Sequence, residues 1–169
     1  CLDSNCKKEV AIKEADTSEL KFEHDIQKRV QNSSPHISRV YAYEKCTNGT
    51  KSYLYTEYAP GNAIRSWIKD NQSNIRPIPL RNLIFQVVYT LRKLQIDHPG
   101  FRHNDLHGDN VFINDRFPAT KYMKYTIDGR DYYVKNVGVS ALIGDFGLSD
   151  MNNSTKKNPG IPEHFGNEH

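Results

Sequence analysis

The chain has 169 residues, of which 37% are hydrophobic and 25% are charged, and its formal net charge is +3. This length suits one globular domain, and no apolar run approaches the roughly 18 residues that a bilayer-crossing helix needs, so we expect no membrane partner. Lysine and arginine are scattered along the chain, which excludes the basic patch typical of nucleic-acid binding.

Three cysteines, Cys1, Cys6 and Cys46, form no Cys-x-x-Cys pair and leave an odd residue. Such a set favours a reducing compartment over a disulfide framework, so we expect a cytoplasmic or nuclear protein. The sequence shows no targeting segment, starts with Cys1 instead of Met, and ends without a closing helix. We therefore expect a piece of a longer protein.

The first predicted helix covers residues 18–31. Ser18 can cap its N-terminus, and Phe22, Ile26 and Val30 recur at four-residue intervals on an apolar face. After it, residues 41–43 and 51–58 read as two strands separated by the turn-like residues 47–50. The pattern predicts a helix followed by an antiparallel hairpin.

Two further helices are predicted, a short one over residues 62–71 and a longer one over residues 80–96 that Pro77 and Pro79 introduce. The longer helix has one broad apolar face at helical spacing. We expect this face to be core; its members are Leu80, Leu83, Ile84, Val87, Val88, Leu91 and Leu94.

Residues 122–134 read as a second hairpin, because alternating apolar residues flank the tight-turn dipeptide Asp128-Gly129. Two interpretations stay open: a docking surface for a partner, or an excursion that only stabilises the fold. Residues 139–143 then form a strand that leads to Asp145.

Three motifs lie in a fixed order along the chain. Residues 10–13 read Val-Ala-Ile-Lys, residues 102–110 read Arg-His-Asn-Asp-Leu-His-Gly-Asp-Asn, and residues 145–147 read Asp-Phe-Gly. Together they resemble the phosphate-binding strand, catalytic loop and metal-binding motif of the protein-kinase fold.

The resemblance implies an α+β, two-lobed protein-kinase-like fold, with a partial small lobe over residues 1–58 and a partial large lobe over residues 59–169. It also implies truncation at both ends. No glycine precedes Gly49 to form a glycine-rich loop, and no residues are left for the late large-lobe helices.

The same resemblance assigns site residues. Asp105 would accept the proton of the attacking hydroxyl, while Asn110 and Asp145 would hold Mg²⁺ against the phosphates of ATP. Lys13 would bind those phosphates, oriented by Glu23 on the first helix, although Glu19 could satisfy the same spacing.

The adenine site would lie where the second strand of the first hairpin meets a Pro-Gly break, as in the kinase hinge. Its cofactor-binding residues would be Thr56, Glu57, Tyr58 and Ala59. Thr56 would occupy the gatekeeper position, where a small side chain leaves room behind adenine.

Two positions depart from most protein kinases: Asn104 stands where an arginine usually reads an activation-segment phosphate, and His107 stands where a lysine is usual. The resulting string resembles haspin-like kinases, giant-virus kinases, and small-molecule phosphotransferases of the aminoglycoside and choline type. His103 would pack and hydrogen-bond near the Asp-Phe-Gly turn. In the polar segment that follows, Ser154 and Thr155 are either phosphorylation sites or ordinary loop residues.

The predicted function is ATP- and Mg²⁺-dependent phosphoryl transfer to a serine or threonine hydroxyl of a protein substrate. The alternatives are a small-molecule phosphotransferase and a pseudokinase that only binds. Five residues of catalytic type argue against the latter, namely Lys13, Glu23, Asp105, Asn110 and Asp145. The sequence leaves the oligomeric state open, and a viral source would place the protein in the host cell or virion.

Overall fold

The computed structural model of the chain describes residues 9–47, 49–73, 77–118 and 122–151. Ser154, Thr155, Cys1 and Cys6 lie outside these ranges, so the interpretations attached to them stay predictions. Within the described residues, no helix combines the length and apolarity needed to cross a membrane.

A three-stranded antiparallel sheet lies at the start of the chain. Its strands are β1 (Val10–Asp16), β2 (Val40–Lys45) and β3 (Lys51–Glu57), in the order β1-β3-β2. The pairing of β2 with β3 confirms the first predicted hairpin. Lys13 lies opposite Leu54 on the central strand, so the sheet fixes the lysine at mid-strand.

Helix α1 (Thr17–Val30) follows β1 without a break. The predicted Ser18 cap is wrong, because the helix begins one residue earlier and Asp16 at the cap position makes no side-chain cap bond. The hairpin turn holds the helix start instead: Thr17 N donates to Thr50 O, and Thr17 Oγ1 donates to Gly49 O, both at 3.0 Å. Tertiary contact thus replaces the local cap.

Helices α2 (Ile64–Asn71) and α3 (Pro77–Asp97) come next. The longer one starts three residues before the predicted residue 80, because its first turn has unpaired N–H groups and accepts both prolines. The expectation of a uniform apolar core face on it is partly wrong. Leu83 and Leu94 are fully buried, but Ile84 is 54% exposed and Val88 is 58% exposed.

Polar residues take three further buried positions of α3, and each is hydrogen-bonded to a different part of the fold. Asn82 Nδ2 donates to Lys135 O at 2.5 Å, and Gln86 Oε1 accepts from Ala141 N at 2.7 Å. Thr90 Oγ1 lies 2.7 Å from Ser34 Oγ. Because buried polar groups must be paired, these bonds specify where the neighbouring segments sit.

Two small sheets complete the described fold. Strand β4 (Val111–Asn114), which the sequence analysis did not predict, pairs with β7 (Ser140–Ile143), and β5 (Met123–Ile127) pairs with β6 (Arg130–Val134). The pairing of β5 with β6 confirms the second predicted hairpin, with Asp128 and Gly129 at φ of 49° and 77° in its turn.

The second hairpin, formed by β5 and β6, is anchored through Tyr125, which is 2% exposed. Its hydroxyl lies 3.1 Å from His36 Nε2, and its ring meets Phe85 and Tyr89 edge-on at 5.0 and 4.8 Å. This packing supports the stabilising interpretation of the hairpin.

One hydrophobic cluster joins the helices to the segment that follows β7. It contains Ile26, Val30, Ile37, Leu94, Phe101, Ile143, Phe146 and Met151. Phe146 is fully buried there, and burial of a phenylalanine side chain contributes roughly 1.5–3 kcal/mol. The cluster therefore fixes the residue next to Asp145.

Candidate active site

A cleft of about 310 Å³ opens between the three-stranded sheet and the β4–β7 pair. Every predicted cofactor-binding residue lines it, namely Lys13, Glu23, Thr56, Glu57, Tyr58 and Ala59, and so does Asp145. The volume lies at the lower end of the range for small-molecule sites.

Lys13 is the centre of an ion-pair triad. Its Nζ lies 2.8 Å from Glu23 Oε2 and 2.9 Å from Asp145 Oδ1. Glu19 has no such contact among the described residues, and Asp25 pairs with Lys21 and His24. The structure therefore brings together β1, α1 and the segment after β7 at one ammonium group.

Burial and charge act in opposite directions on this triad. Burial disfavours the Lys13 ammonium, but the Coulombic attraction of Glu23 and the hydrogen bonds to Glu23 and Asp145 outweigh it, so the pKa of Lys13 is raised. Burial also raises the pKa of Glu23, which the Lys13 charge opposes only in part. Lys13 consequently stays a cation well above neutral pH.

Asp105 and Asn110 form a compact loop beside the cleft. Asn110 Nδ2 donates to Asp105 Oδ2 at 2.9 Å and to Asp105 O at 2.8 Å. Gly144 N donates to Asn110 O at 3.1 Å, which places the loop next to the residue that precedes Asp145. Because the amide nitrogen is committed to Asp105, the amide oxygen of Asn110 is the atom suited to a cation.

His107 sits within the same loop. Asp109 N donates to His107 Nδ1 at 3.2 Å, and His107 Nε2 lies 3.5 Å from Asp105 Oδ1 and 3.4 Å from Asn110 Nδ2. The Asp109 carboxylate lies between two basic groups, with its Oδ2 3.2 Å from Arg65 Nε and 3.6 Å from His107 Nδ1. His107 thus faces one Asp105 oxygen while Asn110 holds the other.

His103 is placed as the sequence predicted. Its Nε2 donates to Gly144 O at 3.0 Å, and its ring lies 5.0 Å from the ring of Phe146. Burial lowers the pKa of this imidazole, which therefore serves as a neutral packing element.

Asn104 connects the loop to the segment after Asp-Phe-Gly. Its φ is 61°, a left-handed conformation that asparagine tolerates, and its Nδ2 donates to Leu148 O at 3.0 Å. Nearby, Arg102 and Asp150 exchange two backbone hydrogen bonds of 2.9 and 2.8 Å. The start of this segment is thus attached to the catalytic loop by uncharged bonds.

The edge of the cleft beyond Ala59 is tied to β4. Gly61 N donates to Ile113 O and Ile113 N donates to Asn62 O, both at 2.8 Å. A Cβ atom on Gly61 would lie only 2.8 Å from Ile113 O, so this close approach requires glycine.

The sequence analysis assigned no site role to several residues that line the cleft, among them Gln27, Ser38, Asn62 and Phe112. Helical spacing could have found Gln27, since it follows Glu23 by four residues on α1 and shares its face. The other three reach the cleft through loop and strand packing, for which the sequence carried no local signal.

The described residues contain no group of three or more His, Cys, Asp or Glu side chains that could hold a metal alone. Mg²⁺ usually takes one or two carboxylates together with substrate phosphate oxygens, instead of a cage made only of protein groups. The Asp145 carboxylate and the Asn110 amide oxygen are hard oxygen donors of the appropriate kind, and the donor set therefore fits this ion.

Comparison with known proteins agrees with this geometry. A putative serine/threonine-protein kinase of Acanthamoeba polyphaga mimivirus is 35% identical over 81 residues, which cover 47% of this chain and 20% of that protein. A second one from the same virus is 24% identical over 104 residues, covering 59% of this chain and 22% of that protein.

A probable serine/threonine-protein kinase of Dictyostelium discoideum is 35% identical over 109 residues, covering 57% of this chain and 8% of that protein. The chain thus spans about a fifth or less of the length of these relatives. The family model for the protein kinase domain matches residues 1–166. Over nearly its whole length, the chain belongs to the protein kinase domain family.

Proposed function

We propose that the chain transfers the γ-phosphoryl group of ATP, with Mg²⁺, to a serine or threonine hydroxyl of a protein. The observation that carries this proposal is the Lys13 triad, in which the Nζ atom joins Glu23 and Asp145 at 2.8 and 2.9 Å beside the Asp105–Asn110 loop. Phosphoryl transfer needs such positioned charges more than covalent chemistry from the protein.

Asp105 is the proposed base. Its Oδ2 accepts a hydrogen bond from Asn110, and its Oδ1 faces His107 Nε2 at 3.5 Å, so both oxygens are oriented before substrate arrives. The substrate hydroxyl would lose its proton to this carboxylate as its oxygen bonds to the γ-phosphorus and the bond to ADP breaks.

Lys13 is the proposed phosphate ligand, and Glu23 its positioning partner. Glu23 is only 4% exposed, which keeps its carboxylate directed at Lys13 in the cleft. Asp145 and the Asn110 amide oxygen would hold Mg²⁺. When bound, the ion supplies neutralisation of charge on the transferring phosphoryl group.

The proposed adenine-binding site is the end of β3 together with the residues that follow it. Thr56, Glu57, Tyr58 and Ala59 form one wall of the cleft, and Phe112 lies among its other lining residues. Extended backbone on one side and an aromatic side chain in the same cleft suit a flat heterocycle such as adenine.

The acceptor class rests on the relatives, whose names describe serine/threonine-protein kinases. Absence of nucleic-acid and membrane partners and a cytoplasmic or nuclear location remain predictions from composition.

The deciding experiment is transfer of labelled γ-phosphate from ATP, with Asp105→Asn as the blank. The full-length protein is offered generic basic and acidic proteins beside an aminoglycoside and choline. We expect label in protein serine or threonine. Label only in a small molecule would reassign the acceptor class, and ATP binding without any transfer would contradict the proposed activity and indicate a binding module.

A further inference from the structure

The three-stranded sheet has an outer face, on the side opposite to Lys13 and Leu54. Successive residues of a strand point to opposite faces, so Ile12 and Glu14 lie on the outer face. On the inner side Leu54 is fully buried in a cluster with Leu20 of α1, whereas Ile12 is 59% exposed. The outer face is therefore open to solvent at an apolar residue.

The strand register sets six side chains of this face in two rows, because directly paired residues share a face. They are Ile12, Tyr55 and Ala42 in one row, and Glu14, Tyr53 and Glu44 in the next. We call these six residues the outer patch. Directly paired Cβ atoms lie about 4.5–5.5 Å apart, so Tyr53 has a glutamate on each side.

Tyrosine hydroxyls, and not cations, contact the two glutamates of the outer patch. Tyr55 Oη donates to Glu44 Oε2 at 2.9 Å. The negative charge of Glu14 raises the pKa of the Tyr53 hydroxyl. Within the described residues neither glutamate is part of an ion pair, and both are exposed. The patch therefore presents aromatic surface together with two carboxylates.

The charge of the outer patch specifies the sign of its partner. The chain has a formal net charge of +3, yet Lys51, on the row beyond Glu14, is committed to Asp16 at 2.9 Å. An acidic partner would meet two carboxylates, and a second copy docked patch to patch about a two-fold axis would bring four together. Like charges that face each other across an interface are unfavourable, so the patch suits a basic partner.

Arginine is the side chain that fits this combination of groups. A cation over the face of a tyrosine ring is attracted by the ring, and arginine also stacks on aromatic faces and pairs with carboxylates. We propose that the outer patch is a docking surface for a basic segment of a partner protein, which places an arginine over Tyr53 between Glu14 and Glu44. An apolar neighbour of that arginine would cover Ile12 and Tyr55.

This surface is separate from the cleft. Lys13 follows Ile12 directly and so points to the other side of the sheet. The inference goes beyond the proposed function and does not depend on phosphoryl transfer.

Three labelled peptides of the sequence Gly-Ser-Val-Xaa-Val-Ser-Gly test the proposal, with arginine, citrulline or glutamate at the central position. Citrulline keeps the shape of arginine but carries no charge. Binding to the full-length protein is measured by fluorescence anisotropy at low salt. We expect the arginine peptide to bind about tenfold more tightly than the citrulline peptide, because both the cation–π contact and the ion pairs need the charge.

Equal binding of the arginine and citrulline peptides, or a preference for glutamate, would overturn the proposal. So would a lack of detectable binding of the arginine peptide at about 1 mM.

Glu14→Gln combined with Glu44→Gln removes both charges and keeps the side-chain shapes. The preference for arginine over citrulline should then fall to less than about twofold. Asp128→Asn combined with Asp131→Asn is the matched control, since both residues are exposed on the second hairpin and the charge change is the same. It should leave the preference intact, and an equal loss in both double variants would overturn the assignment to the outer patch.

Tyr53→Leu keeps an apolar side chain but removes the ring, and the preference should fall about threefold. An unchanged preference would remove Tyr53 from the site. Self-association of the unmodified protein in sedimentation, abolished by the Glu14 and Glu44 substitutions, would assign the face to contact between copies and overturn the proposed partner.

ATP separates this test from the proposed function. Saturating Mg²⁺-ATP should leave the affinity for the arginine peptide unchanged, whereas displacement of the peptide by ATP would place it in the cleft and overturn the proposal. Failure of the protein to transfer phosphate, with arginine-selective binding retained, would contradict only the proposed function.

Discussion

The two halves of the site differ in how far apart along the chain their contacting residues lie. In the loop half (Asp105, His107, Asn110), the side-chain contact that orients the base joins residues five apart. In the ion-pair half (Lys13, Glu23, Asp145), Lys13 contacts residues that are 10 and 132 positions away. The first is a local structure, and the second depends on the packing of β1, α1 and β7.

The difference also concerns what each half can do. The loop half holds an oriented carboxylate beside the cleft, so it suits proton transfer. The ion-pair half lies in the cleft lining, so it suits binding of phosphate and metal. We therefore expect substitution of Asp105 to affect chemistry and substitutions in the ion-pair half to affect nucleotide binding.

The largest expected effect is that of Asp105→Asn. Loss of the general base should lower kcat about 10³-fold, because positioned bases contribute roughly 10²- to 10⁴-fold. The affinity for ATP should stay within twofold of that of the unmodified protein. Transfer assays and calorimetry measure the two quantities, and unaltered transfer would remove Asp105 from the proposed role.

Asp145→Asn should act mainly on binding. Asparagine tolerates the backbone φ of 57° at this position but lacks the charge that faces Lys13 and would hold Mg²⁺. We expect the Kd for Mg²⁺-ATP to rise about 100-fold. ATP binding without Mg²⁺ is the control and should change much less. Equal losses with and without the metal ion would contradict the metal role.

At acid pH, protonation of His36 should destabilise the fold around β7, the strand that leads to Asp145 of the ion-pair half. This residue is fully buried, with Nδ1 donating to Ala141 O at 3.1 Å beside β7, and burial lowers its pKa to about 4. The unfolded chain then binds a proton that the folded chain excludes, so stability is complete above the unfolded pKa and falls as the pH drops towards the folded pKa. Between about pH 7 and pH 5 we expect a loss of about 2 kcal/mol in the free energy of unfolding.

Urea denaturation at both pH values measures this loss. His36→Gln is the control, since it should be less stable at neutral pH but should show a flatter dependence on pH. The same slope in this variant would assign the acid sensitivity to another group.

Glu23→Gln has the smallest expected effect. It keeps the shape of the side chain but replaces a charged hydrogen bond to Lys13 with a neutral one, which should lower kcat/KM about tenfold. Glu19→Gln, on the same helix, is the matched control and should be neutral. A comparable loss in both variants would indicate a general effect on α1 and not a contact with Lys13.

The sequence predicted the loop half better than the ion-pair half. The family resemblance assigned Asp105 and Asn110, and because they are near neighbours in the chain, little tertiary packing is needed to bring them together. The choice of Glu23 over Glu19 needed helical spacing together with a family resemblance, because the position of Lys13 relative to α1 depends on the whole sheet.

The failures of the sequence analysis share a physical cause. Ile84 and Val88 fit the apolar period of α3 but lie on its exposed side, while buried Gln86 hydrogen-bonds β7. Periodicity measures only how apolar residues are distributed along a helix. It cannot identify polar positions that tertiary hydrogen bonds bury.

The two hydrogen bonds that join Gly61 and Asn62 to Ile113 have a mechanical consequence. They make the cleft edge beyond Pro60 part of the same body as β4, while Glu57 belongs to the three-stranded sheet. If the three-stranded sheet rotates relative to the catalytic loop, the chain that links the sheet to β4 here can bend only within residues 58–60. Proline at position 60 has a nearly fixed φ, so the pivot has few free torsions. Opening of the cleft at this edge should therefore depend mainly on the backbone torsions of Tyr58 and Ala59.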